Sequence, residues 1–121
     1  MELVQMEPNR VKGYRDARLE VDFHTRDVRL DGAPVQLTPM EFDLLAQLAR
    51  NVGEILSRDT LMSRVWGYGP EIRTRTMDVH LRRLRVKLGS YSRLHLETVF
   101  GLGYRLQPCN EARTLTHAVG A

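Results

Sequence analysis

One cysteine, Cys109, in 121 residues rules out an internal disulfide framework. With no reactive motif around it, the thiol is expected to stay reduced near a loose C-terminus. No uncharged apolar run exceeds a few residues, and no basic-then-apolar segment opens the chain. Neither a membrane-spanning helix nor a secretory signal is expected, and a cytoplasmic protein without a membrane partner is predicted. His24, His80, His95 and His117 are dispersed without ligand spacing, so neither a metal site nor a cofactor is predicted. Asp78 and His80, two apart on a helix, diverge by about 200° and cannot act as a pair. A glycine-rich phosphate loop is missing as well, since Gly101-Leu102-Gly103 reads as a hairpin turn. Paired exposed aromatics of the kind that stack single-stranded bases are also absent, which disfavours RNA. An enzyme is not expected.

What remains is an ordinary globular composition, 42% hydrophobic and 27% charged, on a chain long enough for one average domain. The formal net charge of +3 is a weak pointer to a polyanion, but its distribution is a stronger one. Arg73, Arg75, Arg82, Arg83, Arg85 and Lys87 fall within fifteen positions that contain the single acid Asp78. Concentration of that kind is the electrostatic footprint of a nucleic-acid contact.

The segment TRTMDVHLRRLRVKLG, from position 74, separates two faces on one helix. Met77, Leu81, Leu84 and Leu88 follow helical spacing and form a core-facing stripe. Arg75, Val79, Arg82, Arg83 and Val86 project from the opposite side, flanked by Thr76, Arg85 and Lys87. Guanidinium forks suit guanine edges and phosphates, while small apolar groups suit thymine methyls. A solvated helix face is the plain alternative to a DNA contact, and the rest of the chain decides between them.

Residues 1–17, with Pro8 and Gly13, show no sustained periodicity and read as a linker or flexible arm. Leu19, Val21 and Phe23 alternate with polar residues, as do Val28 and Leu30; Asp31-Gly32 offers a hairpin turn leading to Val35 and Leu37. Thr38-Pro39-Met40-Glu41 spells a capping box with proline in the first turn. Phe42, Leu45, Leu48 and Ala49 form the buried face of that helix, and Gly53 marks its exit. Ser57 caps a second helix with Leu61, Met62, Val65 and Trp66 as its apolar set. A loop through Gly67, Gly69 and Pro70 leads to the cationic third helix. Beyond Gly89, Leu94, Leu96, Thr98 and Val99 regain strand character, turn through 100–103 and return as Tyr104, Arg105 and Leu106. An α+β winged helix-turn-helix follows: an antiparallel sheet, three helices and a C-terminal hairpin.

The segments LTPMEFDLLAQLARNVGEILSRDTLMSRVWG, RTMDVHLRRLRVKLG and LETVFGLGYRL, in this order and spacing, closely resemble the winged-helix effector domain of OmpR/PhoB-type response regulators. The resemblance covers residues 18–106 and implies a four-stranded N-terminal sheet, a three-helix bundle and a hairpin wing. It also implies transcriptional regulation at tandem direct repeats in promoter DNA, as the output of a two-component phosphorelay. By the same resemblance, Thr76, Val79 and Arg83 approach base edges. Arg75, Arg82, Arg85 and Lys87 supply the surrounding cationic contacts, mostly to phosphates, and Thr98 touches the backbone from the wing. The loop Gly67 to Arg73 would meet RNA polymerase through Tyr68, Glu71 and Ile72. A competing reading is a protein-interaction module in which the basic helix face grips an acidic partner.

Two departures from the family pattern stand out. Phe100 occupies the wing position where relatives commonly carry a minor-groove arginine. It could pack on the sugar-phosphate surface, wedge near a base step or fold back on Tyr104, and the last is expected. There is also no room for a phosphate-accepting receiver domain. Either the chain is an excised effector domain or the protein acts without phosphorylation; the first is the favoured expectation, with a mainly monomeric domain whose full-length protein carries a receiver addressed by a cognate histidine kinase. Residues 107–121 are expected to be a disordered tail.

Overall fold

The computed structural model describes residues 12–66 and 74–110, with the side chains of 66 and 74–76 outside that set. Four short strands open the domain: β1 (Gly13–Arg15), β2 (Leu19–Asp22), β3 (Asp27–Leu30) and β4 (Ala33–Pro34). They form one antiparallel sheet in chain order. Leu19, Val21 and Val28 are buried on one face, as the period-two pattern predicts. Asp31 (φ 53°) and Gly32 (φ 85°) both take positive φ, the conformation required of a two-residue turn that pairs Leu30 with Ala33.

Two expectations change here. Residues 13–15, assigned to a flexible arm, are β1, with Tyr14 opposite Val21 and Arg15 opposite Glu20. Three residues are too few to show a period. Conversely, β4 stops at Pro34, which has no N–H for further pairing, and lies on the edge where proline is tolerated. Val35 still donates its amide to the Val28 carbonyl at 2.9 Å, but Val35 and Leu37 then pack against the core as half-buried side chains.

Helix α1 (Pro39–Arg50) starts as predicted. Thr38 Oγ1 accepts the Glu41 amide at 3.2 Å, and the Glu41 carboxylate accepts the Thr38 amide at 2.9 Å. Besides the four predicted residues, Leu44 and Ala46 are buried, because α1 lies centrally against the sheet, the other helices and the wing. Arg26 closes one flank, its guanidinium 4.4 Å from the centre of the Phe42 ring and 2.9 Å from Asp43. Helix α2 (Arg58–Trp66) is capped by Ser57, whose Oγ accepts the Thr60 amide at 3.0 Å. Helix α3 (Thr74–Leu88) buries Met77, Leu81, Leu84 and Leu88. At about 1.5 to 3 kcal/mol for each fully buried aliphatic side chain, this stripe is what seats the helix.

A fourth helix, α4 (Ser90–His95), replaces the strand expected to begin at Leu94. Leu94 is exposed, whereas its neighbour Tyr91 is fully buried and fixes the turn. Ser92 donates its hydroxyl to the Arg85 and Gly89 carbonyls, closing the junction between α3 and α4. The wing is β5 (Leu96–Val99) paired with β6 (Gly103–Leu106), and Tyr104 also bridges to Leu56, between α1 and α2.

Residues 107–110 remain on the body of the domain. Gln107 donates its amide to the His95 carbonyl, and the Cys109 carbonyl accepts the Ala17 amide at 2.7 Å. Cys109 is therefore buried, contrary to the loose tail expected from 107 onward; residues 111–121 lie outside the described set. Asp16 organises this corner. One oxygen accepts the Tyr14 hydroxyl (2.5 Å), the Tyr91 hydroxyl (2.6 Å) and the Cys109 amide (3.1 Å), while the other accepts the amides of Arg18 and Leu19. No helix among the described residues is long and apolar enough to cross a membrane.

Candidate nucleic-acid interface

With its apolar stripe buried, α3 has only one orientation available, and its opposite face looks outward. Arg82 and Arg83 are exposed and make no ion pair among the described residues; Val86 is exposed beside them, and Val79 is half-buried. The side chains of Arg75 and Thr76, and the loop residues Tyr68, Glu71 and Ile72, lie outside the described residues. Asp78, the acid on α3, is neutralised by Arg58 at 2.8 Å, and Arg58 also donates to the Tyr104 hydroxyl at 2.7 Å. The start of α2, α3 and the wing thus share one guanidinium.

Two residues expected to lie separately on DNA meet each other. Arg85 donates from Nη2 to the Thr98 hydroxyl at 2.7 Å, and its guanidinium carbon lies 5.9 Å from the centre of the Tyr104 ring. This clasp joins the wing to α3. Between them runs an open groove of about 1110 Å³, lined by Arg82, Arg85, Val86, Arg93, Thr98 and Phe100 among others. Arg105 and Glu97 also border it, paired at 2.8 Å. Arg93 belongs to this rim because α4 carries it there.

Lys87 has a different partner from the one expected. Its ammonium is 2.7 Å from the carboxylate of Glu41, which is fully buried at the start of α1. Burial opposes ionisation of Glu41, but hydrogen bonds from Lys87 and the Thr38 amide outweigh it and hold the carboxyl below its usual range. Lys87 therefore serves the fold, joining the last turn of α3 to the first turn of α1. Lys87→Met is expected to lower stability by about 1 to 3 kcal/mol in urea unfolding. That is less than for a fully buried pair, because the lysine is partly exposed and screened. Its DNA affinity per folded molecule is expected to stay unchanged.

Phe100 does not fold back on Tyr104. Its ring is 91% exposed at the tip of the wing, and Leu102 is 60% exposed beside it. Tyr104 is already engaged by Arg85 and Arg58, and the turn closed by the Leu102 amide on the Val99 carbonyl carries Phe100 outward.

Residues 32–106 match the family model described as "Transcriptional regulatory protein, C terminal". The chain belongs to the OmpR/PhoB-type winged-helix effector domains. These are DNA-binding regulatory domains of response regulators. Among curated OmpR/PhoB-type relatives, the chain is 50% identical over 82 residues to an uncharacterized transcriptional regulatory protein, YclJ, of Bacillus subtilis, covering 67% of this chain and 36% of that protein. It is 48% identical over 89 residues to the transcriptional regulatory protein CseB of Streptomyces coelicolor, covering 74% and 37% respectively. The chain thus spans little more than a third of the length of these relatives. Among solved structures, the DNA-binding domain of Klebsiella pneumoniae RstA, in complex with the RstA box, superimposes with a TM-score of 0.73 at 33% identity, covering 82% of this chain and all of that one.

Proposed function

We propose that this effector domain binds double-stranded promoter DNA at tandem direct repeats, with α3 in the major groove and the wing against the adjacent backbone and minor groove. The observation that carries the reading is the outward face of α3, with Arg82, Arg83 and Val86 exposed beside a wing clasped by Arg85 and Thr98. Thr76, Val79 and Arg83 read base edges, while Arg75 and Arg82 hold phosphates. Arg85 and Thr98 act as one unit, fixing the wing and presenting their remaining donors to the backbone. YclJ and CseB are named transcriptional regulatory proteins, and the RstA DNA-binding domain is solved in complex with the RstA box, which supports this assignment. Where this domain is joined to a receiver domain addressed by a histidine kinase, the receiver would raise the effective concentration of a second copy on the neighbouring repeat. The isolated domain is then monomeric. The loop holding Tyr68, Glu71 and Ile72 is the surface we assign to RNA polymerase.

Selection from a random duplex pool, followed by titration of the winner and a scrambled control at two salt concentrations, tests the reading. An enriched direct repeat bound well above the control supports it. Weak, purely salt-dependent binding without enrichment would redirect the basic face to a protein partner. Arg83→Ala is expected to weaken the selected site by about 1 to 3 kcal/mol while leaving random DNA nearly unaffected. Equal losses on both would remove Arg83 from the base-reading set.

A further inference from the structure

Phe100 and Leu102 are the apolar side chains that the fold leaves standing at the tip of the wing, 91% and 60% exposed. Three features of their surroundings narrow what can cover them. Phe100 borders the groove that contains Arg82, Arg85 and Arg93, and it also borders a second groove, of about 470 Å³, against Ser57, Arg58 and Asp59 at the start of α2. It is thus a projecting ridge with a polar channel on each side. The first channel is predominantly cationic, its one carboxylate, Glu97, being held by Arg105. The second is polar without an excess of positive charge, since its guanidinium, Arg58, is held by Asp78 and the Tyr104 hydroxyl, and Asp59 sits in the first turn of the helix beside it. Finally, two apolar side chains fall far short of the roughly 800 Å² per partner of a stable protein interface.

A narrow cleft with an anionic strand along the wall that meets the cationic channel, and apolar surface within reach of the ring, fits this arrangement. The DNA minor groove is such a cleft: its walls are phosphate backbones, its floor carries hydrogen-bonding base edges, and the apolar faces of the stacked bases open to a ring that parts a step. We infer that Phe100, supported by Leu102, inserts into the minor groove and wedges between base pairs. The wing then selects duplexes by how easily a step unstacks. The inference rests on the DNA-binding reading above and adds to it a specificity determinant that touches no hydrogen-bonding base edge.

An aromatic wedge costs least where stacking is weakest, at pyrimidine–purine steps such as TA, and most in a stiff A-tract. The Arg85–Thr98 hydrogen bond ties the wing to α3 and opposes its displacement from the ring's side of the duplex. Because Phe100 is almost wholly exposed, its replacement leaves the core intact, and folding of each variant is checked by circular dichroism.

The test uses the 121-residue chain and duplexes carrying the selected repeat, with either a TA step or an A-tract under the wing and 2-aminopurine at that step. Binding is expected to raise 2-aminopurine fluorescence on the TA duplex, which is preferred roughly tenfold. Phe100→Ala is expected to abolish both effects while the footprint of α3 on the repeat persists. Phe100→Arg is expected to reverse the preference toward the narrow groove of the A-tract. Unchanged fluorescence on binding, or the same flank preference in Phe100→Ala, overturns the wedge while leaving the DNA-binding assignment standing. Failure to bind any duplex specifically overturns both.

Discussion

Gly103→Ala is expected to destabilise the domain by about 3 to 5 kcal/mol and to loosen the wing. At φ +148°, Gly103 already has a backbone conformation that side chains rarely adopt. An added Cβ would lie 2.1 Å from the Leu56 carbonyl oxygen and 2.8 Å from the Ser57 Cα, both backbone atoms. No rotamer change relieves such a contact, so either β6 or the segment before α2 must move. Movement breaks the reciprocal bonds between Leu56 and Tyr104, at 2.8 and 2.9 Å, each worth about 1 kcal/mol. Backbone strain of about 1 to 3 kcal/mol makes up the remainder. Urea unfolding reads the loss directly. A loss below about 1 kcal/mol would mean that the wing is held chiefly by the Arg85–Thr98 clasp and its hairpin partner. The same substitution is expected to weaken DNA binding even at temperatures where the domain stays folded.

Asp16→Asn is expected to cost about 3 to 5 kcal/mol, and the loss is expected to depend on pH. Every group that contacts the Asp16 carboxylate is a donor: two phenols and three backbone amides. An asparagine amide nitrogen in either orientation turns one acceptor into a donor and leaves partly buried N–H or O–H groups facing it. Burial disfavours the charged form of Asp16, but the hydrogen bonds from Tyr14 and Tyr91, and those from the amides, prevail and depress its pKa. The two phenols are pushed upward, by burial first and by the neighbouring carboxylate second, and remain protonated donors. A depressed carboxyl stabilises the fold fully above its unfolded pKa of about 4, and the contribution fades as the pH falls through the folded value. The difference in unfolding free energy between the wild type and Asp16→Asn is thus expected to be constant near neutrality and to shrink below about pH 4. A difference independent of pH down to pH 2 would show that packing, and not the carboxylate charge, holds this corner.

These two sites also show which parts of the molecule the sequence leaves hidden. The capping box at Thr38 to Glu41, the Asp31-Gly32 turn and the four-residue stripe of α3 are legible because their physics is local: each is complete within one turn or one helical face. The exposed placement of Arg82, Arg83 and Val86 follows from that stripe by subtraction. By contrast, β1 is only three residues long and exists through its partner β2, and α4 is too short for its period to be counted. Arg85 and Lys87 look alike in the sequence, as cations near the end of one helix. Their roles diverge because Thr98 lies 13 positions from Arg85 and Glu41 lies 46 from Lys87, and only the folded chain brings these partners together. Asp16 is likewise one acid among fifteen acidic residues until Tyr91 and Cys109 converge on it. Phe100 was misplaced for a related reason, since the expected partner, Tyr104, is already taken by two arginines.

The clasp between Arg85 and Thr98 has a mechanical consequence. Because that hydrogen bond ties the wing to α3, the separation between the two elements is set within the protein and, under the proposed docking, works as a caliper on the duplex. Under the proposed docking, DNA whose helical twist departs from that separation has to wind or unwind to engage both jaws. Torsional stress in a promoter then becomes a variable to which occupancy responds, even when the base sequence under α3 is unchanged.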